Sequence, residues 1–207
     1  MSLPEGLGPA PVSAFPFAAL HEVNHRCVEL LVQAAYAPPP PPFSLITPLR
    51  ELLRRADPLM RTAAASHHFL LLEMQFNQPA WWRTVTQNPE RSSRGTPESG
   101  CLPRRSGVGL ARATVTVAWH CIHADPVVAS VVLGMHSEVA AMIGSMPLSD
   151  IDRLATRHFR RLRPRWADRP EVWRSLLLAS QPDAALAVRD FDLRALQLLL
   201  GGLLKVP

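Results

Sequence analysis

Leu148-Ser149-Asp150-Ile151-Asp152-Arg153-Leu154-Ala155-Thr156-Arg157-His158-Phe159-Arg160-Arg161-Leu162 is the stretch on which the fold class turns. Ile151, Leu154, Ala155, His158, Phe159 and Leu162 recur at i, i+3, i+4, i+7, i+8 and i+11. That is one apolar stripe of a helix with 3.6 residues per turn. Asp152, Arg153, Thr156, Arg157, Arg160 and Arg161 fall off the stripe and form the polar face. Ser149 with Asp152 matches a capping box at its start.

The same period extends outward in both directions. Asp125-Pro126 is a helix start, followed by Val128, Val131, Val132 and Met135 at helical spacing, with Gly134 at the expected C-cap. Ser137 opens a short helix, and Met146-Pro147-Leu148 joins it to the arginine-rich one, an arrangement like helix–turn–helix. Asp168, Pro170 and Glu171 open the next helix, and Phe191 to Leu204 reads as a closing helix broken near Gly201-Gly202. Upstream, helices are expected over 15–36, 48–65 and 108–134, with start signals at Thr47-Pro48 and Asp57-Pro58. Phe69 to Phe76 is an apolar run read as helix rather than buried strand, and Pro79 to Val85 as a short helix with Trp81 and Trp82 as anchors. No strand pair is evident. The expectation is an all-α multi-helix bundle with a helix-turn-helix-like C-terminal part.

Composition divides this chain further. Residues 1–14 are rich in Pro, Gly and Ser and read as a flexible N-terminus. Residues 15–87 form a helical region interrupted by the five prolines 38–42, a stiff polyproline spacer. Residues 88–107 read as a disordered linker, and 108–207 as a second helical domain. With 207 residues, 47% of them hydrophobic, the chain can bury a core and is not globally disordered. No apolar run reaches membrane-spanning length, and Met1 to Leu20 lacks the basic start and long apolar centre of a secretory signal. The three cysteines, Cys27, Cys101 and Cys121, form no C-x-x-C pair or disulfide framework, and Cys101 in its polar loop is the expected exposed thiol. A reduced, cytoplasmic setting without membrane association is expected.

Net charge is +5, and Lys205 is the single lysine among 22 basic residues. Preference for Arg over Lys is what a GC-rich genome writes, so the clustering of arginines after residue 150 is the informative part. Arg153, Arg157, Arg160, Arg161, Arg163, Arg165, Arg169 and Arg174 stand against Asp150, Asp152, Asp168 and Glu171. A helix with an apolar back and guanidinium groups in front suits phosphate, since each neutralised phosphate releases condensed counterions. Two other readings compete: a solvated helix face, and docking on an acidic protein.

His21-Glu22-Val23-Asn24-His25 matches H-E-x-x-H, which on a helix sets two imidazoles on one face for zinc with Glu22 as general base. Against it, no strand precedes the motif to hold a substrate beside the helix. A third ligand such as Glu51 would have to return across the proline run. His120, Cys121 and His123 offer at most two convergent ligands on a helix. His67 and His68 read as a helix-end pair near the C-terminal dipole. No phosphate-binding glycine loop or nucleophile elbow is present, so no enzyme, metal or cofactor is expected.

Asp125 to Met135 ending in Leu133-Gly134, then Ser137-Glu138-Val139-Ala140 and Ile143, then Leu148-Ser149 and Leu154-Ala155, resembles the flagellar transcriptional regulator FlhD family. Leu162-Arg163-Pro164-Arg165-Trp166 stands where that family carries an Arg-Phe-Arg-like segment, and Asp192-Leu193 to Leu200 is similar to its closing helix. Glu22-Val23-Asn24 with Leu30, Leu31 and Gln33 also resembles the start of an FlhD helix, so either 18–36 or 108–134 matches the family's long first helix. The resemblance covers 108–204, with 18–36 as an addition, and leaves 37–107 without a counterpart. It implies an α-helical homodimer that binds DNA with a zinc-containing FlhC-like partner and activates flagellar-class promoters. The arginines named above are then the DNA contacts, and Trp119, Val128 and Val131 the dimer or partner surface. A protein-interaction adaptor that binds no DNA is the alternative, and an H-E-x-x-H zinc hydrolase through His21 and His25 a further one.

Overall fold

Aspartate followed by proline fixes two helix starts as expected. Asp57 accepts a hydrogen bond from the Met60 amide and Asp125 from the amides of Val127 and Val128, with proline supplying the helical φ at the next position. The computed structural model describes residues 15–38, 45–87, 104–181 and 185–203. Of these residues 76% are helical, and the all-α class stands. The N-terminal segment 1–14, the proline spacer beyond Pro38, Cys101 and most of the expected linker lie outside the described residues. The elements are α1 (Phe17–Tyr36), α2 (Ile46–Arg55), α3 (Pro58–Ala65), β1 (Leu72–Glu73), α4 (Pro79–Gln87), α5 (Arg104–Ala124), α6 (Pro126–Val132), α7 (Ser137–Gly144) and α8 (Leu148–His158). A 3-10 turn (Phe159–Arg161), β2 (Arg163–Pro164), α9 (Pro170–Ala179) and α10 (Ala185–Leu203) complete the chain.

Helix α1 packs on α2, α3 and α5, and α5 carries α6, α7 and α8 on its other sides. α9 lies against α2, α3 and α10. One continuous cluster of buried side chains runs from Leu20 through Leu72, Val115 and Leu154 to Leu199. Helices of the expected 15–87 region and of the expected 108–207 region share this one core. The second of these regions is helical from Arg104, inside the expected linker 88–107.

The largest departure from expectation is Phe69 to Phe76, which is not helical. Phe69, Leu70, Leu71, Leu72, Met74 and Phe76 are all fully buried. A helix would spread four consecutive side chains around its axis, and one face would need covering. An extended chain sends them alternately into two apolar walls, at roughly 1.5–3 kcal/mol per large side chain. Leaving the helix strands the backbone polar groups, which must then find partners. β1 pairs antiparallel with β2, Leu72 opposite Pro164 and Glu73 opposite Arg163, a strand pair that the sequence did not announce. Leu70 N–H donates to Val132 O (2.9 Å), and Phe76 O accepts from His136 N–H (3.1 Å).

Two side chains complete this accounting. Asn24, fully buried in the middle of α1, accepts from Leu71 N–H (2.8 Å) and donates to Phe69 O (2.8 Å), with Ala65 O and His67 O also in reach. From the other side, Arg165 donates through Nε to Leu70 O (3.0 Å) and through Nη2 to Leu72 O (3.3 Å) and Leu133 O (2.5 Å). Its own amide meets Leu71 O (2.8 Å). Gly134 makes room for that guanidinium. It has φ +52°, and a Cβ there would come within 2.5 Å of Arg165 Nη1 and 2.6 Å of Leu199 Cδ2. Trp173 Nε1–H closes the arrangement on Arg165 O (2.6 Å).

Smaller expectations also change. The Ser149–Asp152 capping box does not form: α8 starts one residue earlier, after Pro147, and the Ser149 hydroxyl leans on Asp150 instead. α2 begins at Ile46 rather than at Thr47-Pro48, with no side-chain cap. α10 runs unbroken through Gly201 and Gly202.

Candidate nucleic-acid interface

α8 buries Ile151, Leu154, Ala155 and His158 and turns Asp152, Arg153, Thr156 and Arg157 to solvent, as its amphipathic period requires. Its charges follow the helix dipole, with Asp150 in the first turn and Arg157 in the last. Trp119 on α5 bonds to Met146 O, and Arg112 on α5 pairs with Asp152 (2.6 Å). These two contacts set α8 antiparallel to α5, so the arginine-bearing end of α8 lies toward the start of α5, where Arg105 is exposed.

The eight arginines separate into distinct environments. Arg153, Arg157 and Arg160 are exposed and Arg161 is half-buried, all on the last turns of α8 and the 3-10 turn. Arg153 is shared with Asp150, and the Arg160 guanidinium lies over the Phe159 ring, 5.8 Å from its centroid. Beyond Leu162 the set disperses. Arg163 is exposed but paired with Glu73 across the small sheet. Arg165 is 4% exposed and committed to three backbone carbonyls, so the expectation that it contacts phosphate is corrected. Burial is the main cause that lowers its pKa to about 10, with Glu73 opposing and Arg163 adding to the shift. Arg174 donates to Pro48 O (3.0 Å) on α2, and Arg169 is exposed just before α9.

A cleft of about 230 Å3 opens beside the exposed arginines, between α4, α7 and α8. Arg83 on α4 grips Glu138 on α7 through both arms of its guanidinium, fixing two of its walls. Val85, Met142, Met146 and Leu154 provide apolar lining, while Asp150, Arg153 and Arg157 edge it. His158 also lines it, edge-on to Trp81 at 5.5 Å. Burial, then the charges of Arg157 and Arg161, hold the His158 pKa below its ordinary value, so the ring is neutral near pH 7.

The residues expected at a partner surface are not equivalent. Trp119 is half-buried, bonded to Met146 O (3.0 Å) and stacked on His123 at 3.8 Å, so it braces α5 against the α7–α8 turn. Val131 is half-buried, and Val128 is 37% exposed beside Val127 at 74%.

In the H-E-x-x-H segment each side chain has a different neighbour. Glu22 pairs with Arg26 (2.9 Å), and His25 faces Glu29 at 4.0 Å. His21 lies between Phe17 and His68, its pKa lowered by burial and by His68 and His67. Glu51, the possible third ligand, pairs with Arg55 (2.9 Å). Among the described residues no group of three or more His, Cys, Asp or Glu side chains gathers as a metal site would. Asn24, an unspecified position of the motif, is the residue with the dense bonding. The signal for it was an amide on the apolar stripe of Leu20, Val23, Cys27 and Leu31. Cys121 is buried and its thiol is pushed up to about 12, chiefly by burial, and burial likewise raises Cys27.

No family model, curated protein or solved structure matches the chain. Among the described residues no single helix is long and apolar enough to cross a membrane.

Proposed function

We propose that this chain is a cytoplasmic regulator of gene expression. It contacts DNA phosphates through Arg153, Arg157, Arg160 and Arg161 and works as an FlhD-like homo-oligomer with an FlhC-like protein partner. One observation supports the reading: Arg153 and Arg157 on the exposed face of α8, the second helix of a helix–turn–helix-like pair, are followed in the 3-10 turn by exposed Arg160 and half-buried Arg161, at i, i+4, i+7 and i+8. At 1.5 Å per residue the row is roughly 12 Å long, about the rise of three to four base-pair steps. Arg105, exposed at the start of the adjacent α5, adds a further cation, while Arg112 on the same helix is paired with Asp152.

Duplex DNA binding across a salt series tests it. Replacing Arg157, Arg160 and Arg161 with alanine is expected to reduce the slope of log K against log salt by roughly 0.9 per lost contact. Arg26→Ala on the distant α1, which also removes one positive charge, leaves the slope near wild type. An unchanged slope in the triple variant rejects these residues as the contact set.

Val127 and Val128, exposed side by side on α6, favour a second reading as a protein-interaction adaptor. In that case a single stoichiometric partner is captured, Val127→Asp with Val128→Asp releases it, and no DNA binding appears at low salt.

A further inference from the structure

We propose that the cleft between α4, α7 and α8 binds a small, flat, uncharged aromatic molecule. Its lining supplies the groups that an aromatic ring packs against. Met142 and Met146 line it, and a thioether meets a ring edge at about 5 Å. The Met142 sulfur lies where two walls meet, 4.0 Å from the Thr86 hydroxyl of α4. Val85 and Leu154 add apolar surface. Arg153 and Arg157 stand at the rim, and a guanidinium engaged in an ion pair still offers its flat face to a π system. Among the described residues that line the cleft there is no Phe, Tyr or Trp, so the ring that these groups suit is not the protein's own.

Charge argues for a neutral ligand. Asp150 pairs with Arg153, and Arg157 and His158 have interactions of their own within the protein. A charged ligand would give up its hydration without finding an unclaimed counter-ion, whereas an uncharged one loses little on entry. The His158 ring, neutral near pH 7, adds no charge to the lining. The cleft is also pre-formed, because the Arg83–Glu138 pair joins α4 to α7 and Trp119 ties α5 to Met146.

This proposal stands apart from the nucleic-acid reading, since binding is measured with no DNA present. The full chain, labelled at its methionine methyl groups, is titrated with naphthol and followed by NMR. Ring currents are expected to move the Met142 and Met146 signals in a saturable way, while those of Met60, Met74 and Met135, buried outside the cleft, stay in place. Decalol, the same skeleton without the π system, binds at least tenfold more weakly, and naphthoate, which adds a full negative charge, binds no more tightly than naphthol. Ser145→Trp at the end of α7 and Thr86→Trp on α4 each fill the cleft from an exposed position, and naphthol then moves neither signal. Unchanged Met60, Met74 and Met135 signals show that these variants are folded. Absence of a saturable shift at Met142 and Met146, equal affinity for decalol, tighter binding of naphthoate, or binding that survives in a folded Trp variant overturns the proposal.

Discussion

Arg160 and Arg165 are five residues apart in one basic run, and the fold uses them in opposite ways. Arg160 is exposed, its guanidinium resting on a neighbouring ring. Arg165 is buried among the carbonyls of Leu70, Leu72 and Leu133. The change of state between them comes from the backbone. At Leu162 the helical period ends, β2 is laid against β1, and the next arginines are delivered to the small sheet. Charge density in a sequence therefore does not reveal which cations reach solvent, because the partners of Arg165 are backbone carbonyls 32, 93 and 95 residues away.

Substitutions that break this contrast should differ sharply in size. The largest effect is expected from Arg165→Met, which leaves three carbonyls without a donor in the core and costs about 3–5 kcal/mol. Denaturant unfolding measures it, and a loss below ~1 kcal/mol means the guanidinium is dispensable to the fold. Arg160→Ala on the same scale stays within about 0.5 kcal/mol, as surface positions do. Asn24→Leu comes next, at about 2–4 kcal/mol. It keeps the volume and the apolar face of α1 but strands Leu71 N–H and Phe69 O. Amide exchange at Leu71 sharpens the comparison: protection there should collapse in Asn24→Leu and persist in Arg160→Ala.

The smallest effect is one of pH. The folded protein holds His158 and His21 below their ordinary pKa of 6.5, with burial the first cause for each. The unfolded chain takes up these protons near 6.5 and the folded one only at lower pH, so stability is fully present above 6.5 and declines on acidification below it. Melting temperatures between pH 7.5 and 5 should fall, and His158→Gln should flatten part of that fall. A rise on acidification would falsify the assignment.

Most of the helical scaffold was legible, and for a local reason. Asp57-Pro58 and Asp125-Pro126 specify helix starts within a few residues, and the stripes of α1 and α8 repeat often enough to be read. Phe69 to Phe76 was not legible, because a continuous apolar run carries no period and its extended form is decided by Asn24 and Arg165 from afar. At the candidate interface, helical spacing placed Arg153, Arg157 and Arg160 outward correctly. It failed past Leu162, where the helix it assumed no longer exists. The Trp119 bond to the Met146 carbonyl was not legible, because an aromatic residue near a helix end looks the same whether it meets a partner or a carbonyl of its own chain.

The contacts of Arg165 also dictate an order of assembly. Residues 70 and 72, 133 and 165 meet at one point, with Leu199 of α10 closing over Gly134 beside them. Chains rich in helices ordinarily fold fast because their contacts are close in sequence, and this junction is the opposite. α1 and α3 can settle while the rest is still loose, since Asn24 reaches only about 45 residues ahead. The extended segment cannot settle until nearly the whole polypeptide is present, and a ribosome-bound fragment ending before residue 163 would carry its middle open, waiting for an arginine not yet made.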